Sequence, residues 1–126
     1  MTAEPVLAAC LEPGWETVCR YDRLLPERGV AALLAGQVQV ALFRTHAGAV
    51  YAIGNLDPFS GAAVLSRGIV GDRGGEPTVA SPVYKQAFSL LTGSCLDGVG
   101  DGDTASVAVP TYPTRVVDGW LQVELR

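Results

Sequence analysis

The sequence predicts an all-β sandwich or small barrel, on three observations. Apolar and polar residues alternate over several short runs, most clearly at Val38, Val40 and Leu42. Gly, Pro, Asn and Asp punctuate the chain between these runs, as turns between strands require. No stretch sustains the apolar period of a helix, which leaves sheet packed on sheet as the way to build a core.

Taken in order, residues 1–14 read as a flexible arm closed by Pro13-Gly14, and residues 15–126 as a single domain. Residues 15–19 alternate as a first strand, with Trp15, Thr17 and Cys19 on one face. Residues 21–28 allow one short helical turn, limited by Pro26 and Gly29. Two strands follow over 29–35 and 37–44, joined around Gly36. Thr45-His46-Ala47-Gly48 is a hairpin connection into a return strand over 49–54, which sets His46 in an exposed turn. Residues 55–75 are loop-rich, with a helical turn over 61–66, a short strand over 68–70 and an open turn over 71–77. A second long loop, 79–96, reads VASPVYKQAFSLLTGSCL and lies between two strands, with Pro82 at a strand margin and Gly93 in a turn. Residues 96–104 are solvated turns, 105–110 and 113–118 are strands, and Asp118-Gly119 is a two-residue hairpin into a last strand over 120–125. In that strand Leu121, Val123 and Leu125 oppose Trp120, Gln122 and Glu124.

Composition narrows function. A chain of 126 residues, 48% apolar and 17% charged, has enough material for one ordered core without disulfides or metals. Its net charge of −4 argues against a nucleic-acid partner, because phosphate binding relies on Lys and Arg. No run reaches the roughly 18 apolar residues of a membrane span. The N-terminus lacks the basic lead of a secretory signal, so the expected compartment is the cytoplasm. Cys10, Cys19 and Cys95 are too widely spaced for a zinc knuckle with His46 and read as free thiols. The aspartates at 97, 101 and 103 and the Asp72-x-Gly-Gly run lack the ligand spacing of a calcium loop, and the run lacks the Lys of a phosphate loop. No nucleophile–base pair is visible, and no catalytic residue is assigned on this chain.

Two stretches carry a resemblance. The 79–96 loop resembles the second cluster-binding loop of Rieske iron–sulfur proteins, Cys-Pro-x-His followed by Thr-Gly-x-Cys. Pro82, Phe88 and Thr92-Gly93-Ser94-Cys95 match, while Ser81 stands at the cysteine and Tyr84 at the histidine. Asn55-Leu56-Asp57, after the strand over 49–54, stands where the first loop has Cys-x-His. The resemblance therefore implies a Rieske-type fold, with an inserted subdomain over 55–96, whose four ligand positions hold Asn55, Asp57, Ser81 and Tyr84. Such a cluster takes two thiolates and two imidazoles, so the resemblance implies no cofactor and no metal on this chain. Cys95 lies downstream of the ligand positions and is given a structural role.

Together with Asp57-Pro58-Phe59-Ser60-Gly61, Leu65-Ser66-Arg67-Gly68, Val70-Gly71-Asp72 and Ser81-Pro82-Val83-Tyr84-Lys85-Gln86, the chain resembles one family from about Trp15 to Leu125. That family is the small subunit of the cytoplasmic NAD(P)H-dependent assimilatory nitrite reductase. The resemblance implies a partner large subunit carrying FAD, sirohaem and a [4Fe–4S] cluster, which reduces nitrite to ammonium. This chain would be its cofactor-free accessory. The expected contact surface is the tip where the two loops meet: Asp57, Pro58, Phe59, Tyr84, Lys85 and Gln86, with Arg67 on the neighbouring loop. Two alternatives stay open, a [2Fe–2S] electron-transfer ferredoxin and a stand-alone adaptor of another redox enzyme.

Overall fold

The computed structural model describes residues 14–35, 38–83, 85–97 and 107–125. The expected arm, with Cys10, and the features expected at Gly36, Tyr84 and 98–106 lie outside the described residues.

Among the described residues, three antiparallel sheets build the domain. In the first, β1 (Trp15–Arg20) pairs with β10 (Trp120–Glu124), which pairs with β9 (Thr114–Val117). In the second, β2 (Arg28–Leu34), β3 (Val38–Arg44), β4 (Val50–Gly54) and β8 (Thr111–Tyr112) lie in that order. The chain passes from β8 to β9 through Pro113, so these two sheets run on from one another and form the base. The third sheet, β5 (Ile69–Arg73), β6 (Glu76–Ala80) and β7 (Ala87–Ser89), is inserted between β4 and β8. Among the described residues there is no α-helix, and no helix long and apolar enough to cross a membrane.

The alternation that predicts β3 has a second meaning in the fold. Val40 and Leu42 join Leu24, Leu34, Ala52, Leu121 and Val123 in the base core. Ala41 and Phe43, on the opposite face, join Ile53, Leu65, Val79, Phe88, Leu90, Cys95 and Val109 in a second core under the inserted sheet. Strands β3 and β4 are therefore a wall shared by two cores, and their side chains are buried on both faces. Each fully buried Phe or Leu in that wall contributes about 1.5–3 kcal/mol, which fixes the insertion against the base.

Three differences from the sequence reading have local causes. The segment over 71–77 is a hairpin rather than an open turn. Gly74 and Gly75, at φ +63° and +93°, take the two positive angles of its turn, and Arg73 pairs with Glu76. The helical turn expected over 61–66 falls instead at Leu65–Arg67, a single 3-10 turn. Gln122, on the face opposite Leu121 and Val123, is fully buried as they are. Its Oε1 accepts from Arg115 Nε at 2.7 Å and its Nε2 donates to Thr17 Oγ1 at 3.1 Å, while Arg115 stacks on Trp15 at 4.1 Å. Finally, β1 carries a register shift between Thr17 and Cys19, so the expected Trp15–Thr17–Cys19 face is broken. The short turn expected after β1 is present at Tyr21–Arg23.

Cys19 and Cys95 are free thiols, and burial pushes the Cys19 thiol up from its ordinary value. His46 is exposed in the β3–β4 turn, as expected.

Candidate functional site

The first loop leaves β4 at Asn55, whose buried side chain acts as a hub. Its Nδ2 donates to Gln39 Oε1 at 3.2 Å and to the Ala63 carbonyl at 3.3 Å, and its Oδ1 accepts from the Ser66 N–H at 2.8 Å. An amide suits this position because it has both donors and an acceptor to spend, where a thiolate has neither in useful number.

The Asp57–Gly61 segment closes on itself. Asp57 N–H donates to the Ala62 carbonyl and its own carbonyl accepts from Gly61 N–H, both at 2.8 Å. Asp57 Oδ1 accepts from Phe59 N–H at 2.9 Å, spanning Pro58, and Ser60 Oγ accepts from Ala62 N–H at 3.2 Å. Phe59 is half-buried, its ring 6.1 Å from that of Phe88.

The second loop is a ring closed by Ser81. Ser81 N–H donates to the Gln86 carbonyl and Lys85 N–H donates to the Ser81 carbonyl, both at 3.0 Å. Ser81 Oγ accepts from Val83 N–H at 3.2 Å and donates to Asp57 Oδ2 at 2.5 Å. Asp57 and Ser81 are 0% and 2% exposed, so a buried, charge-assisted hydrogen bond fastens the two loops together. Lys85 sits at φ +67° with its side chain exposed, and the buried Gln86 Oε1 has no hydrogen-bond partner among the described residues.

The downstream turn explains the Thr-Gly-Ser-Cys run. Ser89 Oγ donates to the Glu76 carboxylate and accepts from the N–H groups of Leu91 and Thr92 at 3.1 and 3.2 Å. Gly93 N–H donates to the Ser89 carbonyl at 2.8 Å, and the Gly93 carbonyl accepts from Val109 N–H at 2.9 Å. Cys95 is buried and its Sγ donates to the Asp97 carbonyl at 3.0 Å. The run thus holds the insertion to the strand end at Val109, a structural task.

Arg73 grips Asp97 with two nitrogens, at 2.7 and 3.4 Å, while Ala87 N–H donates to the same carboxylate at 2.8 Å. The Arg73 guanidinium, then the Ala87 amide, hold the Asp97 carboxyl below the usual carboxylate range. A carboxylate that binds its proton more weakly in the folded state contributes stability above its unfolded value of about 3.9. That contribution is lost as pH falls through the lowered folded value. Asp97→Asn is expected to flatten this part of the acid limb of a stability–pH curve, below about pH 4. Parallel acid limbs for variant and wild type would contradict the assignment.

The structure sorts the expected site residues. Asn55, Asp57 and Ser81 are brought together and buried; Pro58 and Lys85 are exposed beside them; Phe59 and Gln86 are half-buried. Asp57 is thereby corrected from an exposed contact residue to an internal tie, because its carboxylate is the acceptor that both loops close on. Arg67 is exposed and lines a separate depression with Glu27, Arg28, Gly29, Ser66 and Gly68. Tyr84 lies outside the described residues. Sequence reasoning missed Leu56 and Val83, 56% and 45% exposed, although each adjoins a ligand-position residue.

Residues 14–124 match the model of the Rieske-like [2Fe-2S] domain family. The chain is 44% identical over 110 residues to the NADH nitrite reductase small subunit of Escherichia coli K12, covering 86% of this chain and 95% of that one. It is also 44% identical over 105 residues, 83% of its length, to 10% of a nitrite reductase [NAD(P)H] large subunit from Klebsiella oxytoca. A crystal structure from Mycobacterium tuberculosis, assigned as an NADH-dependent nitrite reductase small subunit, superposes with a TM-score of 0.79 at 58% identity. It covers 86% of this chain and 92% of that one. The ferredoxin of carbazole 1,9a-dioxygenase from Nocardioides aromaticivorans shares the fold alone, with a TM-score of 0.72 at 22% identity over 89% and 98% of the two chains.

The domain family implies a [2Fe–2S] cluster between the loops, and the residues present do not fit one. A Rieske-type cluster needs two thiolates and two imidazoles, and the four positions offer an amide, a carboxylate, a hydroxyl and a phenol. Asp57 and Ser81 occupy positions that would ligate opposite irons, on either side of a cluster, yet their oxygens are in direct hydrogen-bonding contact. Among the described residues no group of three or more His, Cys, Asp or Glu is placed to hold a metal ion. The fold, the two loop segments and 44% identity across almost the whole of its Escherichia coli relative agree, and the chain belongs to the nitrite reductase small subunits, on a Rieske-like scaffold.

Proposed function

We propose that this chain is a cofactor-free accessory subunit of a cytoplasmic NAD(P)H nitrite reductase, docking onto the large subunit and supporting it. Electron transfer from NAD(P)H and the reduction of nitrite to ammonium belong to the large subunit, which the family resemblance equips with FAD, sirohaem and a [4Fe–4S] cluster. No step of that reaction is assigned to a residue of this chain. The observation that carries the reading is the Klebsiella relative, in which the matching stretch is one tenth of a large-subunit chain. A domain of this kind built into the same polypeptide works beside the catalytic machinery. The Asp57–Ser81 contact supports the cofactor-free part, since it spans the position where a cluster would be ligated.

The test is co-purification. Tagged chain expressed with the untagged large subunit is expected to retain it stoichiometrically. Made alone with full iron and sulfide supply, the chain is expected to be colourless and free of labile sulfide. Failure to retain the large subunit, or a stoichiometric iron–sulfur spectrum from the chain alone, overturns the reading.

A further inference from the structure

We infer that the loop tip is the docking surface and that it recognises an apolar patch of the large subunit bearing a carboxylate opposite Lys85; this rests on the proposed docking. Leu56 and Pro58 flank Asp57, and Pro82 and Val83 follow Ser81. The Asp57–Ser81 contact brings together the two loops that carry these four exposed apolar residues. Scattered exposed apolar residues are ordinary; a group drawn together by a buried tie marks a contact site.

Charge at the tip runs against the charge of the chain. The whole sequence carries −4, yet Lys85 is the single cation of segments 55–60 and 81–86, and their single acid, Asp57, is sealed from solvent. Among the described residues, the exposed tip is therefore apolar with one positive point, which selects a carboxylate on its partner.

The backbone adds a second argument. Lys85 occupies the left-handed region, φ +67°, where a side chain is disfavoured and glycine is at ease. The turn gains nothing from lysine there, so the side chain it holds out has its use beyond the turn. On the other flank, Leu56 and Pro58 border a cleft of about 410 Å³ with Gly54, Val109 and Tyr112, with room for an apolar side chain of the large subunit.

The experiment measures affinity for the purified large subunit alongside the melting temperature of each small-subunit variant. Lys85→Glu replaces attraction by repulsion and is expected to weaken binding about 30-fold or more, with melting unchanged. Val83→Asp is expected to do the same by a different route, which keeps the inference testable if either variant folds poorly. Leu33→Asp, at a 60% exposed position on β2, is the control and is expected to bind as wild type. Raising ionic strength is expected to weaken wild type more than Lys85→Ala. Wild-type binding with unchanged affinity in both tip variants overturns this inference and leaves the docking intact. Equal losses in the tip variants and the control overturn it as well. Absence of binding by wild type removes the docking itself.

Discussion

Asp57→Ala is expected to destabilise the domain by about 4 kcal/mol, far more than the roughly 0.5 kcal/mol of an exposed substitution. The carboxylate accepts from Ser81 Oγ at 2.5 Å and from Phe59 N–H at 2.9 Å, in a fully buried position. Alanine removes both hydrogen bonds, each worth about 1.5–3 kcal/mol to a carboxylate, and leaves the buried Ser81 hydroxyl without its acceptor. Asp57→Asn keeps an acceptor and is expected to lose only about half as much. Urea unfolding of the three proteins checks the order, and an alanine variant within about 0.5 kcal/mol of wild type would show that the tie carries no load.

Gly93→Ala is expected to cost about 3 kcal/mol or more, although it adds a single methyl group. Gly93 sits at φ +80°, which a side chain disfavours by about 1–2 kcal/mol. A Cβ there would overlap the Val109 carbonyl oxygen and press on Thr111 Cγ2 at 3.1 Å, both across the chain rather than along it. Relief requires the turn to move off Val109, which breaks the Val109 N–H to Gly93 carbonyl bond and strains the Ser94–Ala108 bridge. Thermal melting reads the total, and hydrogen exchange at the Val109 amide locates it. Wild-type melting with a wild-type protected amide would contradict this.

What the sequence discloses depends on how far apart the participating residues lie. Local signals read well. Asp118-Gly119 and the Thr45–Gly48 turn join strands as their residue types require, since each turn needs only its own few residues. Gly74-Gly75 offers the same kind of signal within a run read as an open turn, and the positive φ of both glycines makes it a hairpin. The alternation in β3 reported one buried face; the burial of Ala41 and Phe43 depends on an inserted sheet whose Phe88 lies 45 residues beyond Phe43. The burial of Gln122 is not legible because its partners, Thr17 and Arg115, are brought to it by two different strands. At the site, the replacement of all four ligand types is visible in the letters, while the Asp57–Ser81 bond is not. It joins residues 24 apart, and nothing in either loop taken alone turns an aspartate inward.

The contact between Asp57 and Ser81 also bears on when the subunit becomes usable. Loops bridged by a metal centre reach their working shape only after iron and sulfide have been delivered and their ligands deprotonated. Here the bridge is made of side chains the ribosome has already supplied, so the tip is finished when the polypeptide is folded. If the subunit is cofactor-free as proposed, its readiness follows translation alone, and iron starvation is expected to leave the number of folded copies unchanged.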